Sequence, residues 1–159
     1  MPNDHINVIG LMSGTSLDGL DLSFVSFNKN DLTKYNIIHT KTFLYENKWI
    51  KKLKEAIYLN KIEVKKLDND YAELLAYYVK KFIKEFSISK VDLISSHGHT
   101  VLHQPEKKKT LQIGNGYIIN KILKLKVVCD FRTQDIKYKG QGAPLVPIGD
   151  LNLFSDYKF

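Results

Sequence analysis

The sequence predicts an α/β fold, a mixed β-sheet with flanking helices, on three observations. Two apolar runs within residues 6–25 flank a short polar insert, the pattern of a strand hairpin. Residues 67–86 carry a long apolar stripe at helical spacing. Residues 91–96 then form a short apolar run after that helix. Such a strand can lie parallel to an earlier one through a right-handed crossover.

Taken in order, the hairpin is followed by a mixed β-branched and aromatic stretch at 34–44, read as a third strand of an antiparallel meander. Asn47 is placed to cap a helix whose Ile50, Leu53 and Ile57 recur at helical spacing. In the next helix Leu67, Tyr71, Leu74, Leu75, Tyr78, Val79, Phe82, Ile83 and Phe86 form one face. Lys80, Lys81, Lys84 and Glu85 lie opposite, so its expected task is to cover the sheet. The strand at 91–96 is expected to end at His97-Gly98, with a bend before Thr100. Short strands at 100–104 and 110–113 bracket a turn at Pro105. A short helix at 117–123 and a strand at 126–131, with Asp130 at its end, complete the regular elements. From Arg132 onward the periodicity fades into a polar, glycine-rich segment.

A chain of 159 residues makes one domain with an ordinary core. With 43% hydrophobic and 26% charged residues it is globular and not disordered. The net charge of +7 suits anionic ligands without choosing among them. No recognisable module or basic-aromatic cluster supports nucleic-acid binding. The single Cys129 sits in an apolar run and allows no disulfide within one chain, which fits a reducing compartment. Residues 1–6 are polar and offer neither signal peptide nor membrane span, so the expectation is a cytoplasmic protein with no membrane partner.

The hairpin insert carries the most chemistry. Gly14, Thr15, Ser16, Leu17, Asp18, Gly19, Leu20 and Asp21 combine glycines, which let backbone approach a ligand, with two hydroxyls that can hold phosphate oxygens. A carboxylate such as Asp18 would repel a triphosphate unless Mg²⁺ stands between them or a sugar hydroxyl is its partner.

Residues 10–21 resemble the N-terminal signature of the anhydro-N-acetylmuramic acid kinases, Gly-[Leu/Val/Ile]-Met-Ser-Gly-Thr-Ser-x-Asp-Gly-x-Asp. Three further blocks resemble the same family in its order and near its spacing: residues 96–105, residues 110–114, and residues 128–135 together with 140–147. The resemblance implies the N-terminal half of an actin-like, RNase H-like or hexokinase-like ATPase. Residues 1–159 would then be the first domain of a two-domain sugar kinase whose C-terminal half is absent. It also implies cleavage of 1,6-anhydro-N-acetylmuramic acid at C1 with transfer of the γ-phosphoryl of ATP to O6. The product is N-acetylmuramic acid 6-phosphate, in peptidoglycan recycling.

On that resemblance residues 14–21 are assigned to the ATP phosphates, with Asp18 nearest Mg²⁺, directly or through water. Arg132 fits the lactyl carboxylate of the substrate, because a guanidinium fork matches a carboxylate bidentately. His97 and Asp135 are expected as hydrogen-bond partners of the sugar. No catalytic base is expected in this chain; the family's aspartate block falls beyond Phe159. The isolated chain is expected to be inactive, to bind ATP poorly, and to aggregate or form a homodimer through exposed apolar surface.

Two departures from the family pattern stand out. His99 replaces a usual glutamine, and residues 148–154 lack a Phe-His pair. Two alternatives accompany this reading. His97, His99 and His103 share even spacing, so an uninterrupted strand would put them on one face of a metal-dependent hydrolase. A non-catalytic remnant domain is the other. Arg132 and Asp135 also have a purely structural option, pairing with each other.

Overall fold

The computed structural model describes residues 4–143 and 145–153. Three strands, β1 (His5–Ser13), β2 (Gly19–Asn28) and β3 (Tyr35–Leu44), precede helices α1 (Asn47–Glu55) and α2 (Lys61–Glu85). Then come β4 (Leu93–Gln104), β5 (Lys109–Ile113), α3 (Gly116–Leu123), β6 (Lys126–Val128), α4 (Phe131–Lys137) and α5 (Leu145–Leu153). The sheet runs β3-β2-β1-β4-β5, and β6 joins β4 beside β5. β1, β2 and β3 form the antiparallel meander, whereas β4 lies parallel to β1 through the α-helical crossover. The result is the expected α/β domain with a mixed sheet and flanking helices, consistent with an actin-like ATPase N-terminal domain.

α2 covers one face of the sheet. Leu67, Tyr71, Leu75, Val79 and Phe82 are buried against Ile9, Leu11, Leu20, Leu22 and Ile94. Each such side chain removed from water contributes about 1.5–3 kcal/mol. The helix starts in a capping box. Asn60 Oδ1 accepts from the Ile62 and Glu63 amides, and the Glu63 carboxylate accepts from the Asn60 amide.

Four sequence expectations need correction. Asn47 is the first residue of α1 and not its cap; Glu46 stands at the cap and makes no side-chain cap bond. β4 does not end at His97-Gly98 but runs on to Gln104 as one 12-residue strand. β6 stops at Val128, so Asp130 is not in a strand; with φ 64 it precedes α4 in a left-handed conformation. The segment after Arg132 contains α4 and α5. Pro144 of the glycine-rich segment, and residues 154–159 of the expected apolar ending, lie outside the described residues.

Candidate phosphate-loop and sugar site

Residues 14–18 turn the chain from β1 into β2, and the turn is pinned from both sides. Leu17 takes φ 61, unusual for a branched side chain, yet its side chain is 7% exposed in the core. Its amide donates to Gly14 O at 3.3 Å. At Gly19 a Cβ would stand 2.7 Å from Phe43 O of β3, so the backbones can meet there only without a side chain. Asp18 Oδ1 accepts from Ser16 Oγ at 2.8 Å and from the Gly19 amide at 3.0 Å. The Ser16 hydrogen bond is the main reason its carboxyl sits below the usual 3.8, and Asp18 is ionised at neutral pH. Thr15 and Ser16 are exposed. Leu17 and Leu20 are core residues whose contact with any ligand would be through backbone. Asp21 lies on the uncovered sheet face and accepts from Thr42 Oγ1 at 2.5 Å.

Beneath the turn lies a buried polar chain. The Tyr45 hydroxyl donates to Ser13 Oγ at 2.9 Å, and the Tyr71 and Tyr45 hydroxyls are 2.6 Å apart. Ser13 Oγ lies 3.1 Å from His99 Nδ1. Burial pushes His99 down to about 4 and raises both tyrosines, so all members are neutral at pH 7.

β4 carries a bulge at this level. Leu11 pairs with Ser96 and Ser13 with His99, two steps on β1 against three on β4. Gly98 absorbs the extra residue at φ 70, and a Cβ there would meet Ile113 O at 2.5 Å. The bulge sends neighbouring imidazoles to different surroundings: His99 packs edge-on against Tyr71 of α2, whereas His97 meets Arg132 of α4. The even-spacing argument for a histidine metal site therefore fails. Among the described residues no group of three His, Cys, Asp or Glu side chains could hold a metal ion.

Arg132 Nε donates to His97 Nε2 at 2.8 Å, while His97 Nδ1 faces Gly98 O at 3.0 Å. The imidazole is thus fixed with its proton on Nδ1, and burial and the adjacent guanidinium hold its pKa below 6.5. Arg132 Nη1 donates to Gly142 O at 2.8 Å, and the Gly142 amide donates to Asp135 Oδ2 at 2.6 Å. Arg132 and Asp135 therefore do not pair with each other; they take the two backbone groups of Gly142. That residue sits at φ 74 with no room for a Cβ beside Ile136.

The sheet face opposite α2 forms an open groove of about 800 Å³, lined by Gly10, Met12, Asp21, Ser23, His97 and Arg132 among others. α4 and α5 contribute Phe131 and Val146 to its wall. A smaller crevice of about 250 Å³ opens between the end of β5 and the residues that follow β6, bordered by Ser96, Gln112, Gly114 and Asp130. Ser96 Oγ and Gln112 Oε1 are buried there without a hydrogen-bond partner among the described residues. Among the described residues no helix is long and apolar enough to cross a membrane.

The structure thus joins Ser13, at the root of the 14–18 turn, to His99 at the bulge of β4, and links His97, Arg132 and Asp135 through Gly142. Sequence reasoning did not find Ser13, Tyr45 and Tyr71 as a polar cluster. Tyr71 lies in the apolar stripe of α2 and reads as core, Ser13 and Tyr45 stand at strand ends, and only the three-dimensional pairing of Ser13 with His99, 86 residues apart in sequence, shows the chain.

A family model described as anhydro-N-acetylmuramic acid kinase matches residues 6–159. Proteins named anhydro-N-acetylmuramic acid kinase from Bacillus cereus (strain Q1) and Bacillus thuringiensis subsp. konkukian (strain 97-27) are each 36% identical over 160 residues. The same identity holds for that of Bacillus anthracis (strain CDC 684 / NRRL 3495). Each alignment covers 94% of this chain but 42% of the relative, so the chain spans about two fifths of the length of the curated relatives it matches. With the family's description fitting almost every residue of the chain, this protein belongs to the anhydro-N-acetylmuramic acid kinase family.

Proposed function

We propose that this chain supplies the phosphate-loop and sugar-acid half of a kinase. The kinase opens 1,6-anhydro-N-acetylmuramic acid at C1 and phosphorylates O6 from ATP, as part of peptidoglycan recycling. The observation that carries the reading is the turn at 14–18: hydroxyls and an ionised carboxylate held on a hydrogen-bonded, glycine-flanked hairpin at the carboxyl end of β1. Phosphoryl transfer needs positioning and charge neutralisation above all.

In this reading the turn holds the ATP phosphates through backbone N–H groups and the Thr15 hydroxyl. Asp18 keeps Oδ2 for Mg²⁺, directly or through water. One carboxylate fits that ion, which takes most of its shell from water and substrate phosphates. When bound, Mg²⁺ neutralises phosphate charge. Arg132, braced by His97 and Gly142, holds the lactyl carboxylate with its remaining N–H groups. The sugar contacts expected of His97 and Asp135 become indirect here: one orients the guanidinium, the other the Gly142 amide it shares.

The general base lies outside this chain in the proposal, since Asp18 serves the phosphates and Asp135 holds backbone. The chain alone should therefore not turn over. The test fuses it to the remaining C-terminal portion of the Bacillus cereus relative and assays ATP, Mg²⁺ and the anhydro sugar. Phosphorylated sugar is expected from the folded fusion and none from the chain alone. A folded fusion without product would sink the kinase reading. Turnover by the chain alone would show that the base lies within it.

A further inference from the structure

We propose that His99 is a positioning residue for the 14–18 turn: a neutral imidazole protonated on Nε2, it accepts the Ser13 hydroxyl hydrogen and so fixes the root of that turn. The assignment rests on reading the turn as the phosphate loop.

Hydrogen counting gives the direction of the chain. Tyr45 has one hydroxyl hydrogen and spends it on Ser13 Oγ, so the 2.6 Å contact between the tyrosines must be a donation from Tyr71. Ser13 Oγ already accepts from Tyr45, which leaves its own hydrogen for His99 Nδ1 at 3.1 Å. The chain therefore runs one way, Tyr71 to Tyr45 to Ser13 to His99, and every hydroxyl hydrogen in it is used. A proton on Nδ1 would break this order, because the Ser13 hydrogen would then lose its acceptor. Ser13 is 3% and His99 3% exposed, so no water replaces a lost partner cheaply.

The location gives the chain its role. Ser13 is the last residue of β1, and the turn begins at Gly14. Three elements converge on one hydroxyl: Tyr45 just after β3, Tyr71 of α2 through Tyr45, and His99 at the bulge of β4. With Ser13 turned inward and Ser16 given to Asp18, Thr15 carries the loop hydroxyl that makes no hydrogen bond among the described residues. Leu17, held left-handed in the core, fixes the far side of the same turn.

The test is nuclear magnetic resonance on the ¹⁵N-labelled 159-residue chain at pH 7. The His99 ring should show a pyridine-type Nδ1 and a pyrrole-type Nε2 in a single tautomer. The opposite tautomer, or an average of both, overturns the proposal. Backbone order parameters for residues 15–18 should stay near about 0.85 in the unmutated chain and in His99→Gln, whose amide oxygen can accept the same bond. They should fall below about 0.6 in His99→Leu. Equal values in all three proteins overturn the positioning role. Should His99→Leu fail to fold, the tautomer of the unmutated chain decides. Titration with Mg·ATP in the fusion described above separates the two readings. Loss of loop order without any nucleotide binding by the parent protein would refute the phosphate-loop reading and leave the positioning role standing.

Discussion

Arg132 Nε donates to His97 Nε2 across 2.8 Å, so the guanidinium is aimed by an imidazole that can act only as an acceptor at that nitrogen. The substitution Arg132→Leu should therefore do two things in the fusion protein. It should weaken 1,6-anhydro-N-acetylmuramic acid by about 2–3 kcal/mol, the range for a charge-assisted bond, and it should affect anhydro-N-acetylglucosamine far less. Calorimetric titration with both sugars is the check. Equal weakening would mean that Arg132 serves only to hold Gly142.

Asp18→Asn separates charge from shape. The amide oxygen can still accept from Ser16 and Gly19, so the turn and the fold should survive, with an unchanged urea midpoint. Phosphoryl transfer in the fusion should nonetheless fall by at least about a hundredfold, as when a group stabilising transition-state charge is removed. Unchanged turnover would remove Asp18 from the site. Gly14 is a weaker probe than the sequence suggests. A Cβ there meets only Ser16 Oγ at 3.2 Å, so any need for glycine at 14 comes from ligand approach.

Gly98→Ala attacks the bulge. A Cβ 2.5 Å from Ile113 O at φ 70 must displace β5 or flatten the strand, at a cost of about 2–4 kcal/mol. Urea denaturation followed by circular dichroism measures it. Less than about 0.5 kcal/mol would mean that the bulge is not as built.

His99 makes stability depend on pH in a defined window. Its folded pKa, about 4, lies below the ordinary 6.5, so the unfolded chain takes up this proton first as pH falls. The contribution of neutral His99 is complete above pH 6.5 and is lost as pH falls towards 4. His97 is shifted in the same direction. The carboxylates with lowered values, Asp18, Asp31 and Asp92, act below 3.8 and leave the upper part of the window clear. Urea midpoints should thus correspond to about 1–2 kcal/mol less stability at pH 5 than at pH 7, and His99→Gln should shrink that difference. A flat profile between those pH values would contradict a buried neutral His99.

Much of this was legible in the sequence because period and punctuation agree. The β1–β2 hairpin alternates around a glycine-bounded insert, and the α2 stripe repeats over 25 residues. The misses have local causes. Gly98 resembles a strand end, yet φ 70 there keeps β4 extended through a bulge. α4 buries none of its residues and has no side-chain cap, so it lacks both signals by which helices are read. α5 carries Pro147 and Gly149, which read as loop although proline is tolerated in a first turn. Arg132 and Asp135 were found as polar residues of interest, but their shared hold on Gly142 depends on a left-handed glycine that no spacing reveals.

The parallel seam between β1 and β4 has a kinetic consequence. β1, β2 and β3 are joined by short connections, whereas Asn7 and Asp92, bonded across the seam, are 85 residues apart. Closing so long a loop costs chain entropy before any contact rewards it, so the meander should assemble ahead of the seam, with α2 carrying β4 into place. Ser13 then acquires Tyr45 early and His99 late. Stopped-flow refolding can time this order. Gly98→Ala should act mainly on the unfolding rate, whereas a substitution on the meander such as Phe43→Leu should slow folding; the reverse assignment would mean that the seam nucleates the domain.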